Sequence, residues 1–148
     1  MRIAIGSDHR GCDMKEYIKE LLTGHGHTHH DFGCYSEDAI DYPDVALEVA
    51  VAIVRGDCDR GVLICGTGIG MCISANKVNG IRAAQCYDAF TAKRARLHND
   101  AQVCCIAAEA GKVRVPSILE EFLTTEFEAG RHIARVEKIR KIEEKQCR

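Results

Sequence analysis

The stretch Gly61-Val62-Leu63-Ile64-Cys65-Gly66-Thr67-Gly68-Ile69-Gly70 decides how the rest of the chain is read. Its first half is a nearly continuous apolar run, the pattern of a strand covered on both faces. The run breaks into glycines at alternate positions, which let the backbone turn tightly and aim N–H groups at an anion. A helical stretch from Met71 to about Lys77 follows. Strand, glycine turn and helix in that order form one unit of an α/β fold, with the turn where a ligand belongs.

The flanks repeat the unit. Upstream, residues 2 to 6 form a short apolar strand and Ser7-Asp8-His9-Arg10-Gly11 a polar turn. Met14, Tyr17, Ile18, Leu21 and Leu22 then recur at helical spacing. A second strand spans Thr28 to Phe32, and Asp41-Tyr42-Pro43-Asp44 opens a helix with Ala46, Val49, Ala50 and Ile53 on one face. Downstream, Ile81 to Cys86 reads as a strand, Asp88 caps a helix to about Leu97, and Gln102 to Ala107 is a fifth strand. Pro116 begins a helix through Leu123. This alternation predicts a Rossmann-like, three-layer α/β/α fold around a five-stranded parallel sheet, with strand order left open.

The length of 148 residues fits a single domain spanning 1–148, with 131–148 as a helical extension. That tail holds seven Arg or Lys against three Glu, and Ile133, Val136, Ile139 and Ile142 stripe it at intervals of three. The stripe must cover its own domain or a neighbour, and a subunit contact is the favoured reading because the five-strand unit already looks complete. A formal charge of -2 gives no bulk attraction to nucleic acid. No run approaches the roughly 20 apolar residues of a membrane span. The first strand starts at once, with no signal peptide before it, which predicts a cytoplasmic protein. The nine cysteines, odd in number, then read as mostly reduced thiols.

Three polar clusters fall where chemistry is expected: Asp8-His9, Cys65 to Gly70, and His98-Asn99-Asp100. The glycine loop lacks the third glycine of a dinucleotide fingerprint, where Met71 stands, and no Gly-Lys-Ser or Gly-Lys-Thr makes it an NTPase loop. A small anion suits it better. Thiols at the mouth of a helix are activated from a pKa of about 8.5 toward neutrality. Cys65 is therefore a candidate base or nucleophile, with Thr67 placed to hydrogen-bond it; the bland alternative is a small core cysteine. His98 pairs a proton carrier with the amide donor of Asn99, and could equally be a helix cap. His9 has a similar second reading as a turn residue. Arg131 and Arg135 lie one helical turn apart beside His132, a spacing that suits a phosphate or a solvated helix face. The histidine-rich tract from His25 to His30 lacks a supporting metal-ligand motif, so no metal is expected. Cys104 and Cys105 point to opposite faces of a strand and read as packing. Cys12, Cys34, Cys58, Cys72, Cys86 and Cys147 show no close ligand spacing.

Taken together, Ser7-Asp8-His9, Asp41 to Asp44, Cys65 to Gly70, Ala75-Asn76-Lys77, Gly80 to Ala84, His98-Asn99-Asp100 and Gly130-Arg131-His132 resemble the ribose-5-phosphate isomerase B family, which includes allose- and galactose-6-phosphate isomerases. The resemblance implies aldose–ketose isomerisation of a phosphorylated sugar through a cis-enediolate, with no cofactor and no metal. It makes Cys65 the base, assisted by Thr67. The N–H groups from Gly66 through Gly68 and Ile69 to Gly70, with Asn99, would hold the enediolate oxygens. His98, helped by Asp8, would open the sugar ring, and Tyr42 would line the pocket. His9, Arg131 and Arg135 would bind phosphate beside His132, some of them from a second subunit of a homodimer or tetramer. One departure stands out: where relatives carry a phosphate-clamping Arg after the fifth strand, this chain has Glu109, so Lys112 or Arg114 would have to compensate, and Arg10 is a further candidate. Ribose 5-phosphate is the default substrate. Other sugar phosphates, including a tetrose 4-phosphate, and a non-catalytic sugar-phosphate sensor are the alternatives.

Overall fold

The apolar residues of the strands alternate between two clusters, and that alternation builds the layers. In the computed structural model, which describes residues 1–35 and 39–146, the strands are β1 (Arg2–Ser7), β2 (Thr28–Asp31), β3 (Arg60–Cys65), β4 (Ala83–Gln85) and β5 (Val103–Ala107). They form one sheet in the order β2-β1-β3-β5-β4, every pair parallel. Ile3, Ile5, Val62, Ile64, Cys104 and Ile106 face one side. There they pack on α1 (Cys12–Gly24), α4 (Ala89–Asn99) and α5 (Val115–Thr124). Ala4, Leu63, Cys65, Val103 and Cys105 face the other side, against α2 (Tyr42–Val54) and α3 (Ile69–Ala75). Cys104 and Cys105 thus lie in opposite layers, as the two-residue period of a strand requires. Cys147 lies outside the described residues.

Helix starts follow local chemistry. The Asp88 carboxylate accepts from Thr91 N at 2.7 Å while the Thr91 hydroxyl accepts from Asp88 N at 3.2 Å, a reciprocal cap on α4. Pro43 lies in the first turn of α2, where a missing N–H costs nothing. Two boundaries differ from the sequence reading. Helix α3 begins at Ile69 rather than Met71, because Gly68 at φ +77° caps it and Gly70 is already helical. Strand β4 is shorter than Ile81–Cys86: at Arg82 the backbone N–H bonds the Gln102 side chain at 2.9 Å in place of a neighbouring strand.

The order β2-β1-β3 makes the gap between β1 and β3 the place where chain direction across the sheet reverses, and α/β ligands bind beyond the strands there. Lys15, fully buried on α1, reinforces this end by donating to Asp31 at 2.7 and 2.8 Å and to the carbonyls of Gly33 and Cys34. Burial pushes the Asp31 carboxyl up, yet bonds from Lys15, Lys19 and the Gly33 N–H outweigh it and hold the group below the usual carboxylate range.

Helix α6 (Arg131–Gln146) divides its stripe. Val136 is buried against the chain itself and Glu143 accepts from Gly80 N at 3.1 Å, so this face covers its own domain. Ile133 and Ile142 stay 55% and 56% exposed. Among the described residues, no helix is long and apolar enough to cross a membrane.

Candidate active site

At the carboxyl edge of the sheet, Cys65 ends β3 and its thiol is nearly buried. Its Sγ accepts the Gly68 N–H at 3.1 Å. Thr67 does not hydrogen-bond the thiol as expected; its hydroxyl accepts from Ile69 N at 3.3 Å and so closes the turn. Tyr42, the first residue of α2, lays its ring against Gly70, where a Cβ would stand 2.7 Å from Tyr42 Cε2. Gly70 is required by this close approach, as Gly68 is by its positive φ. Asp8, Arg10, Tyr42, Cys65, Thr67 and Ile69 line an open cavity of about 510 Å³.

Within one chain Asp8 does not reach His98. It caps the 3-10 turn His9–Gly11, its Oδ1 accepting from Arg10 N at 3.0 Å and Gly11 N at 3.1 Å. His9 is part of that turn. Arg10 is not a free cation either: its Nη2 is ion-paired with Glu109. Glu109 belongs to a short turn, Ala108–Ala110, that follows β5, and its N–H donates to Gly66 O at 3.1 Å. Glu109 and Arg10 thus answer one another across the glycine loop.

The second cluster lies at the opposite edge. His98 and Asn99 end α4, which runs back against the strands, and β5 begins only at Val103. Strand register pairs Cys65 with Ala107, at the far end of that strand. At about 3.3 Å per residue, roughly 13 Å of sheet separates the two ends. Asn99 therefore does not join the Cys65 loop within one chain, and Arg131, His132 and Arg135 stay with His98 rather than with His9.

A buried ion network builds this edge. Asp100 closes α4 at φ 46° and its two carboxylate oxygens hold Arg96 Nη1 and Arg82 Nη2, each at 2.9 Å. Arg82 Nε also donates to Asn99 O at 2.8 Å, and Arg96 Nη1 to Ala101 O at 2.7 Å. The imidazoles of His98 and His132 stack with centroids 4.2 Å apart and planes 9° from parallel. Glu128 Oε2 lies 3.3 Å from His132 Nε2 and 3.7 Å from His98 Nε2. Arg94 Nη1 lies 2.9 Å from His98 Nε2, and Arg131 Nε donates to His132 Nε2 at 3.4 Å. Burial, then His98 and Arg131, hold the His132 imidazole below its usual range and hence neutral.

Among the described residues His98, Glu128 and His132 form one group whose ligand atoms lie within 4.8 Å of one another. Two guanidinium groups already occupy the same lone pairs, and parallel stacked rings do not converge on one ion. The arrangement suits protons and anions rather than a metal.

The sequence profile of the Ribose/Galactose Isomerase family matches residues 3–139. The chain belongs to this family of sugar-phosphate isomerases. It is 48% identical over 142 residues to the D-erythrulose-4-phosphate isomerase of Pectobacterium atrosepticum, covering 94% of this chain and 93% of that one. Identity to the ribose-5-phosphate isomerase B of Escherichia coli is 40% over 145 residues, 97% of each chain. The structure of Clostridium thermocellum ribose-5-phosphate isomerase B superposes with a TM-score of 0.96 at 44% identity and 99% coverage of both chains. Within this isomerase, Glu128, Arg94 and the Arg82–Asp100–Arg96 network escaped the sequence reading. Asp100 carried a signal, since it stands directly after His98-Asn99; Glu128 carried only its place two residues before Gly130.

Proposed function

We propose that the enzyme interconverts D-ribose 5-phosphate and D-ribulose 5-phosphate as a homodimer. Each active site combines the thiol edge of one copy with the imidazole edge of the other. The observation that carries the chemistry is the Cys65 thiol, held by the Gly68 N–H at the floor of an open cavity. In the open-chain aldose, the Cys65 thiolate takes the C2 proton and returns it to C1, while a proton passes from O2 to O1. The intermediate is a cis-enediolate, and its oxygens are met by loop N–H groups and Asn99. His98 opens the furanose, Tyr42 and Ile69 line the sugar, and His9, Arg10, Arg131 and Arg135 attract the phosphate. No cofactor takes part, and the enzyme works in the cytoplasm.

The split of the site supports the dimer, since one chain holds its base and its imidazole at opposite sheet edges. Exposed Leu47, Ile69 and Ile73 beside the thiol edge offer apolar surface for such a contact. A tetrose 4-phosphate is the second reading: the Arg10–Glu109 pair on the cavity rim alters the charge that a phosphate meets.

Metal-free turnover on phosphorylated tetroses, pentoses and hexoses tests the reaction, with Cys65→Ala in parallel. Ribose 5-phosphate turned over fastest, and not by the variant, is the expected result; undiminished activity in Cys65→Ala would sink the mechanism. Mixing subunits tests the shared site. Cys65→Ala and His98→Ala homodimers should each be inactive, while co-refolded chains regain about a quarter of wild-type activity, because half the dimers carry one intact site. No regain would place the whole site in one chain.

A further inference from the structure

Outside the groups assigned above, Glu128 is the carboxylate that faces both imidazoles of this edge. It sits in the segment between α5 and α6, and its backbone N–H donates to Leu97 O at 3.1 Å. That bond moors it beside the last turn of α4, which carries His98. Its side chain is 55% exposed, so its position against two imidazoles is not forced by burial.

We infer that Glu128 is the positioning residue for His98: it holds the ring and stabilises the imidazolium formed while the sugar ring opens. The inference rests on the isomerase reading above. Opening a furanose moves one proton off the anomeric hydroxyl and one onto the ring oxygen as the C1–O bond breaks and C1=O forms. A single imidazole can do both, accepting the first proton and returning it, with no net change. It then needs a favourable partner in each protonation state.

Glu128 serves both: a ring that accepts a proton at Nδ1 already carries its hydrogen on Nε2. After a small rotation away from Arg94 Nη1 at 2.9 Å, that N–H points to the Glu128 carboxylate at 3.7 Å, in the neutral ring and in the charged one. Among the described residues nothing bonds Nδ1, which leaves that nitrogen for the substrate. His132 stacks beneath, kept neutral by burial and by neighbouring His98, Arg131 and Arg135, so it does not compete for the proton. The charged and titratable groups at His98 are Arg94 on its own helix, Glu128 on the linker and His132 on α6, with Arg131 and Arg135 acting on His132 in turn. Glu128 is the one anion among them, and a carboxylate behind a catalytic imidazole serves to orient it and stabilise its cation.

The test separates ring opening from enolisation. Ribulose 5-phosphate cannot close a furanose, because its C5 oxygen carries the phosphate, so exchange of its C1 proton with deuterated water needs the Cys65 step but no ring opening. Glu128→Gln should lose about a hundredfold in kcat on ribose 5-phosphate, keep the exchange rate within about twofold, and move the acid limb of the pH–rate profile to lower pH. Glu128→Asp should recover much of the loss. Equal losses in both reactions would make Glu128 a general structural or binding residue, and no loss in either would leave it without a role; both overturn the inference. Wild-type protein without isomerisation or exchange would instead overturn the isomerase reading beneath it.

Discussion

The two edges of the sheet solve the same problem with different materials. The thiol edge is shaped by backbone: a positive φ at Gly68, a ring pressed on Gly70, an amide pointing at sulfur. The imidazole edge is shaped by ionised side chains, with Asp100 gripping Arg82 and Arg96, and Glu128 set between two histidines. A backbone-built site is tolerant of pH and salt but intolerant of any added Cβ. A site built from ions accepts changes of shape but depends on every charge having its partner. Each material therefore fails differently, and mutations should expose which edge is which.

The largest effect belongs to the ion network. Arg96 is 1% exposed, and Asp100→Ala strips it and Arg82 of their shared carboxylate. Removing one partner from a buried pair costs about 3–5 kcal/mol. Chemical unfolding should show a loss of that size, with His98 function lost alongside, whereas Asp100→Asn should recover part of it. A loss below about 1 kcal/mol would mean that these arginines find solvent and that the edge is not held by charge.

The thiol edge should answer to a single methyl group. Gly70→Ala places a Cβ within 2.7 Å of Tyr42 Cε2, and the half-exposed ring can swing away rather than unfold the chain. We expect stability within about 1 kcal/mol of wild type and a KM raised about tenfold, the equivalent of roughly 1.4 kcal/mol in binding. In the Gly70→Ala/Tyr42→Ala double variant the alanine should cost little beyond Tyr42→Ala alone. A double variant whose losses simply add would show that the ring and the glycine are not coupled.

The same contrast governs what was legible in the sequence. Strand β3, its glycine turn and Cys65 are consecutive, so their geometry is written locally. The three-layer fold follows from the two-residue and helical periods, although α3 starts two residues before the apolar period predicts because Gly68 serves as its cap. The imidazole edge draws on Arg82, Arg94, Arg96, Asp100, Glu128 and His132, spread over fifty positions and joined only by the fold. His98 and Asn99 were visible as chemistry, but not the fact that α4 delivers them to the far edge from Cys65. Thr67 differs for the converse reason: nearness in sequence suggests the Cys65 thiol as its partner, while its hydroxyl closes the turn on Ile69 N. The α6 stripe read as one surface because its spacing is regular, yet the packing divides it between Val136 inside and Ile133 outside.

Acid should separate the edges next. The buried His132 is kept neutral in the fold, while in the unfolded chain it titrates near its usual pKa of about 6.5. The unfolded state then binds more protons as pH falls through that value, so stability is full above it and declines towards the depressed folded pKa. The melting temperature should fall between pH 7 and pH 5.5, and His132→Asn should flatten that slope without altering Cys65 accessibility to a thiol reagent. An unchanged slope would remove His132 from the acid response.

The smallest effect tests an exposed ion pair on the rim of the thiol edge. Arg10 and Glu109 are both more than half exposed, so their pair is worth about 0–1 kcal/mol and Glu109→Gln should barely move stability. Its electrostatic effect on a ligand is another matter. The pair is neutral as a whole, and removing the carboxylate leaves the Arg10 guanidinium uncompensated on the rim of the cavity. A dianionic phosphate should bind about two- to fivefold more tightly at low salt. The gain should disappear near 0.5 M salt, where the screening length falls to about 4 Å. Arg10→Ala should do the reverse, raising KM with little change in kcat. A salt-independent gain would point to shape rather than charge at this rim, and no gain at all would show that Glu109 holds Arg10 in a place where the phosphate does not come.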